Sequence, residues 1–307
     1  MTAFVALPGF GVEAQGVDLR PPLAAGAFAE LERAFYDHHV LALREQALSA
    51  AQFLAFARRF GSPQPHVIDQ FHHPEDPDIL ILSNVKDAQG RPTGLQDAGS
   101  YFHTDYSYLA TPARATTLYS RVVPKVGGDT LFADQQAAYD DLPPAMKARI
   151  EPLLAIHHYG NRQDVDEASR TAASVLSAEQ KARMPVITHR IARPHPVTGR
   201  KALYAVSGSS FGIVGMPDDE ARDLLDELAR HSTAPRYQMR FRYGVGDVVV
   251  WDNAALLHSA TLIAPDDART LWRVTLLEDA PAGAAAALLA QTYAGPSNPG
   301  GAVQPNG

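Results

Sequence analysis

In YFHTDYSYLA, residues 101–110, His103 and Asp105 stand two positions apart among aromatic side chains. Taken as a strand, the stretch sends both side chains to one face with Cα atoms roughly 6.6 Å apart, close enough to share a ligand. The pair is either a hydrogen-bonded couple or two thirds of a metal site. A third ligand would decide, because two histidines and one carboxylate on one face of an Fe(II) ion leave positions open for oxygen chemistry. Of the later histidines, His157 and His158 are adjacent, so at most one faces inward on a strand; His189 and His195 flank Arg-rich polar sequence, and His231 ends a helical pattern. His258 is better placed, in AALLHSA just after the apolar run GDVVVWDN. Beyond it come Arg269 and Arg273, which share a face if RTLWRVTLLE is a strand, with Cα atoms roughly 13 Å apart. Two cations aimed at one interior need anions to meet them. A chelating dicarboxylate would leave one carboxylate far from the metal, and arginine grips such a group through two bonds. The competing reading puts both arginines on a solvated face; the apolar residues between them and the nearby His258 favour the interior.

What must position these residues is a chain of ordinary globular composition, 46% hydrophobic and 20% charged over 307 residues. Cysteine is absent, which excludes disulfides, thiolate metal sites and iron–sulfur clusters together and leaves imidazole and carboxylate as metal donors. A formal net charge of −7 points away from nucleic acid and toward a small molecule as partner. No apolar run reaches the ~18 residues of a membrane span. The amino terminus lacks a basic region followed by an apolar one. We therefore expect a cytoplasmic chain without a membrane partner, and a homo-oligomer.

Helical periodicity marks residues 26–37 and 50–60, the second opened by a Ser49/Gln52 capping box. Further helices are expected near 134–155 and 217–231, the latter with acidic residues first and basic residues last, as the helix dipole favours. Strand patterns cover HHVLALR, 79–84, 116–123, 202–207, 246–253 and 270–278. Strands with a few helices, and no βαβ rhythm, predict an α+β, mainly β fold with an antiparallel core. The polar stretch 161–186 has the character of a lid. Residues 281–307, rich in Ala, Gly and Pro, read as a tail whose last part is disordered.

Taken together, F-H-T-D at 102–105, G-G-D-T at 127–130, W-D-N-x₄-H at 251–258 and R-x₃-R at 269–273 resemble the taurine/2,4-dichlorophenoxyacetate dioxygenase family. The resemblance runs from about Phe4 to Asp279 and implies a single domain over 1–280, a double-stranded β-helix (jelly roll, cupin-like) with flanking helices. It implies Fe(II), 2-oxoglutarate and O2 as cofactor and co-substrates, with His103, Asp105 and His258 as both metal ligands and catalytic centre. It puts the distal carboxylate of 2-oxoglutarate on Arg269 with help from Thr130, and an anionic group of a small substrate near Arg273. His66 matches a substrate-binding histidine of the taurine enzyme, beside the alternative of a capped loop histidine. Two positions depart: Asp69 stands where that enzyme has tyrosine, and Gly99 where it has asparagine, so taurine itself is in doubt. Tyr101, on the ligand face, and Phe211, near Ser209 and Ser210, complete the expected substrate pocket. The implied reaction hydroxylates a sulfonate, sulfate ester, carboxylate or aryl ether and releases succinate and CO2. Because Asp105 is kept, oxygenation rather than halogenation is expected. Alternatives are the same chemistry on a zwitterionic amine or betaine, which Asp69 would contact, a zinc hydrolase built on the same trio, and a silent jelly-roll binding protein.

Overall fold

The computed structural model describes residues 2–96, 99–159, 177, 179, 185–264 and 266–278. Almost all of the expected lid and the whole 281–307 tail lie outside the described residues. In chain order the strands are β1 Ala3–Ala6, β2 Val12–Gln15, β3 Val40–Leu43, β4 Ser62–Pro63, β5 His72–His73, β6 Asp76–Ser83, β7 Ala113–Val122, β8 Thr130–Asp134 and β9 Leu154–His157. They continue as β10 Ile187–Arg190, β11 Ala192–Pro194, β12 Lys201–Leu203, β13 Ser210–Ile213, β14 Gln238–Phe241, β15 Val248–Asp252, β16 Leu256–Ala260 and β17 Thr270–Leu277.

The largest sheet runs β1-β2-β3-β15-β7-β17-β6-β5, with β4 also paired to β17. Every pairing in it is antiparallel except β2 with β3. A second sheet, β14-β8-β16, faces it. Alternation along the central strands divides the core accordingly. Val248, Val250, Val274 and Leu276 pack with Phe28, Leu31 and Phe35 of the helix Ala25–His38 and with Phe53 of the helix Ala50–Ala57. Their neighbours Val249, Trp251, Leu118 and Leu271 point the other way, onto Phe132, Leu256, Met239 and Phe241 of the second sheet. The outer face of that second sheet, Ala133 and Leu257, is covered by Leu224, Leu225 and Leu228 of the helix Asp218–Ser232. The fold is mainly β, with helices on both outer faces.

Local signals explain most boundaries. The Ser49/Gln52 capping box forms both its bonds, Gln52 N–H to Ser49 Oγ at 3.3 Å and Ser49 N–H to Gln52 Oε1 at 2.9 Å. His39, at φ 63°, ends the first helix in a left-handed cap and turns the chain into the fully buried β3. Pro143 and Pro144 split the helix expected over 134–155 into Gln135–Asp140 and Pro144–Ile150, since proline cannot continue a helix already under way. The strand expected over 202–207 stops at Leu203, and Ala205 follows at φ 48°.

One expectation fails where it matters. Residues 101–110 are not a strand: His103 makes an isolated antiparallel bridge to His258, and the chain then turns, with Tyr106 at φ 51°. The bridge has both ladder bonds, His103 N–H to His258 O at 3.0 Å and His258 N–H to His103 O at 2.8 Å. It pins the turn to β16.

Candidate metal centre

Because β15 and β16 are joined by a short turn, the chain that leaves the large sheet at Asp252 enters the second sheet at Leu256 and brings His258 in on β16. The bridge sets His103 beside it, ring centroids 4.2 Å apart, and the following turn carries Asp105 between them. Asp105 Oδ1 lies 3.7 Å from His103 Nε2, and Oδ2 lies 3.6 Å from His258 Nε2. One donor atom from each residue falls within 4.8 Å of the other two, the one such His/Asp/Glu cluster among the described residues.

The protonation states suit a cation. His103 Nδ1 is 2.8 Å from the carbonyl of Tyr101, which fixes the proton there and leaves Nε2 as a lone pair facing Asp105. Burial pushes His258 down to about 3 and lowers His103, so both rings are neutral ligands near neutrality. Burial alone would raise Asp105, but Arg273, the two histidines and the Thr116 hydroxyl together outweigh it and hold the carboxyl well below the usual carboxylate range. Two neutral imidazoles and a carboxylate form the donor set that non-haem Fe(II) takes.

Glycines hold His103 in place. A Cβ on Gly99 (φ +75°) would come within 2.2 Å of His103 Cε1, and one on Gly208 (φ +85°) within 2.7 Å of its Cβ. A side chain at position 99 therefore cannot stand beside this histidine unless the imidazole moves.

Two buried arginines flank the trio. Arg273, on β17, reaches Asp105 Oδ1 with Nη1 at 3.5 Å and sits among Tyr106, Tyr108 and Tyr159, which help Asp105 keep it charged against the cost of burial. Arg269 lies one residue before β17, 7% exposed, its backbone N–H fixed by Asn84 Oδ1 at 2.8 Å. Its Nε is buried without a hydrogen-bond partner, and burial lowers its pKa. A guanidinium left in that condition is a socket for an anion. Beside it, Thr130 Oγ is 2.8 Å from the hydroxyl of Tyr243, which burial pushes up to about 12 and so keeps protonated. Thr130 was expected here; Tyr243 was not. Its signal was present, since Met239, Phe241 and Tyr243 alternate into one core face.

A cavity of about 350 Å³ is lined by Gln64, Pro65, His66, Asp69, Tyr106 and Tyr108, among others; none of the trio lines it, and its link to the trio is Tyr106, the residue after Asp105. His66 combines both of its expected characters: Nδ1 accepts from the Ile68 N–H at 3.1 Å, as in a capped loop, while the ring lines the cavity. Burial first, then Arg273, pushes its pKa down to about 3. Asp69 is exposed at the rim. Tyr101 is half-buried with its ring 5.1 Å from His103. Tyr106 packs in the core and also lines the cavity. Phe211 stands half-buried on β13 and is not among the residues lining this cavity.

Comparisons with known proteins agree with this geometry. The family described as taurine catabolism dioxygenase TauD, TfdA family matches residues 4–275. The alpha-ketoglutarate-dependent 2,4-dichlorophenoxyacetate dioxygenase of Cupriavidus pinatubonensis is 34% identical over 288 residues, 89% of this chain and 96% of that protein. An alkylsulfatase of Acinetobacter baylyi is 29% identical over 283 residues, 89% of this chain and 84% of that protein. The crystal structure of AAD-2 in complex with Mn(II) and N-oxalylglycine superposes with a TM-score of 0.73 at 29% identity, covering 92% of this chain and 99% of that one. The chain thus belongs to the TauD, TfdA family of 2-oxoglutarate-dependent dioxygenases, oxidoreductases that use Fe(II), 2-oxoglutarate and O2.

Proposed function

We propose that this dioxygenase hydroxylates a small organic anion at a carbon bearing an aryl ether, sulfate ester or sulfonate, with succinate and CO2 as co-products. His103, Asp105 and His258 are the residues that would hold the metal. Fe(II) bound there, with 2-oxoglutarate and O2, supplies the oxidising chemistry that replaces a substrate C–H by C–OH. A carbon that carries both hydroxyl and leaving group then collapses to a carbonyl, which accounts for cleavage of ethers and sulfate esters.

The observation that carries this reading is the burial of two arginines, Arg273 against the Asp105 carboxylate and Arg269 with an unpartnered Nε beside Tyr243. Two guanidinium charges and the Asp105 carboxylate leave one positive charge; Fe(II) adds two and 2-oxoglutarate removes two. One positive charge remains, on the Arg273 side, and a substrate anion neutralises it. Arg269 with Thr130 grips the distal carboxylate of 2-oxoglutarate, and Arg273 orients the substrate anion. His66, neutral at working pH, supplies a hydrogen bond without a competing charge, while Tyr101, Tyr106 and Tyr108 offer apolar faces that exclude water. Phe211 remains a proposed substrate contact from the outer side.

Relatives named for a phenoxyacetate and an alkyl sulfate support an anionic substrate. The zwitterionic alternative rests on Asp69, whose exposure weakens it. Family membership removes the zinc-hydrolase and silent-binder readings. We further propose one domain over 1–280 with a double-stranded β-helix core, supported by the two facing sheets. No helix among the described residues is long and apolar enough to cross a membrane, and a cytoplasmic location suits an enzyme that consumes 2-oxoglutarate. Exposed Phe4 and Val5 on the edge strand β1 support a homo-oligomer.

The test is succinate release across phenoxyalkanoates, alkyl sulfates, sulfonates and betaines in parallel. Anions are expected to turn over and betaines not. Arg273→Ala is expected to raise the KM for the preferred anion ~10–100-fold, as the loss of a charged hydrogen bond implies, and to leave the KM for 2-oxoglutarate nearly unchanged. An equal rise in both would show the arginine roles to be wrongly divided.

A further inference from the structure

The W-D-N run contributes more than spacing to His258. Trp251 on β15 and Asn253 just after it face the interior that holds the trio, and Asp252 between them faces the opposite side, where it meets His195 Nε2 at 2.8 Å. Thr116, on the adjacent β7, is fully buried, and Asn253 and Trp251 are almost so. Three hydrogen bonds connect them to the metal-site carboxylate. Thr116 Oγ donates to Asp105 Oδ2 at 2.6 Å, Asn253 Nδ2 donates to Thr116 Oγ at 2.9 Å, and Trp251 Nε1 donates to Asn253 Oδ1 at 3.2 Å. The circuit closes by packing, because the Trp251 ring lies 4.7 Å from the ring of His258.

The direction of every bond follows from chemistry. An indole N–H can only donate, so the amide oxygen of Asn253 must face Trp251 and its NH₂ must face Thr116. The Thr116 hydroxyl, having accepted that bond, has its proton to give, and an ionised carboxylate can only accept it. The carboxylate is thereby held by one oxygen at one angle, while Oδ1 faces His103 and Arg273.

We propose that Trp251, Asn253 and Thr116 form a one-way hydrogen-bond relay that orients the Asp105 carboxylate between the two histidines for the metal it would hold. The inference rests on the assignment of His103, Asp105 and His258 as the metal-holding trio. These three are positioning residues: none touches the ion or substrate. Thr116 does not stand in any of the four motifs that identify the family, and Asn253 stands inside one without a role of its own.

The test compares Thr116→Val, which keeps the shape and removes the hydroxyl, with Thr116→Ser, which restores it. Metal-free proteins are titrated with Co(II), and the anaerobic Fe(II)·2-oxoglutarate visible band is recorded for each. Thr116→Val is expected to weaken Co(II) binding ~10–100-fold, the usual effect of removing a partner of a metal ligand, and to shift the band, while Thr116→Ser recovers most of both. A purely structural role would lower the melting temperature of Thr116→Val with affinity and band unchanged, which would overturn the relay. Should Thr116→Val fail to fold, Asn253→Ala decides: it leaves Thr116 without its donor, and a smaller loss in the same direction is expected, whereas wild-type affinity and band would overturn the proposal. Wild-type protein that binds no Co(II) would instead sink the metal assignment, separately from the relay.

Discussion

Arg269 shows how a single residue can carry functional information through what it lacks. A buried guanidinium with an unpartnered Nε is unfavourable in the protein alone and becomes favourable when an anion arrives. Thr130 and Tyr243 sharpen the socket, because two hydroxyls that share one hydrogen bond retain one proton to offer a carboxylate. Tyr243→Phe is therefore expected to raise the KM for 2-oxoglutarate about fivefold, equivalent to about 1 kcal/mol for one hydrogen bond. The substrate KM should stay as it was; initial rates against each co-substrate check both. At this scale the sequence was legible wherever chemistry demanded a residue type at a fixed spacing: the three expected donors lie together, Arg273 reaches Asp105, and Arg269 is buried. Tyr243 and the buried His195–Asp252 pair were not legible, because each acts through a partner more than 50 residues away, and Thr116 was not because it meets Asp105 from a different element, which spacing along one segment cannot show.

At the scale of elements, the site is held by backbone pairing as much as by side chains. His103 and Asp105 share a site through a bridge to β16 and a turn, not through the alternation of one strand. The right residues were found there on the wrong local geometry: Tyr106 at φ 51° breaks an alternating pattern that otherwise looks like a strand. The strands β8 and β16 were also missed, since both sides of each are buried and neither alternates. Positive-φ glycines mark the close approach that the bridge requires. Gly208→Ala would set a Cβ against His103, whereas Gly199→Ala, at φ +72°, would meet open space. Both variants should lose about 1–3 kcal/mol to backbone strain. Only Gly208→Ala should also weaken Co(II) binding, measurable by titration alongside thermal denaturation; equal metal affinity in the two would show that His103 has room to yield.

Across the whole molecule, burial holds histidines neutral outside the metal trio as well as within it. Burial pushes both His66 and His157 down to about 3, from 6.5 in an unfolded chain. A histidine depressed on folding is neutral in both states above pH 6.5, so its contribution to stability is complete there. As pH falls below 6.5 the unfolded chain takes up protons that the folded one refuses, and stability is lost progressively until the folded pKa near 3. With His258, depressed to the same degree, three such groups act in the metal-free protein, and the slope reaches about 4 kcal/mol per pH unit between roughly pH 4 and 6. Denaturant midpoints across that range check it, and His157→Asn should flatten the slope by about a third. The molecule's central claim, however, is that the trio and Arg269 together hold iron and 2-oxoglutarate. Its most direct test is the visible spectrum of metal-free protein titrated anaerobically with Fe(II) in the presence of 2-oxoglutarate. A weak charge-transfer band that grows to saturation with Fe(II), fails to form with Zn(II) and disappears in Arg269→Ala at limiting 2-oxoglutarate is the expected result. Saturating metal and 2-oxoglutarate binding without any such band, or a band indifferent to Arg269, would contradict it.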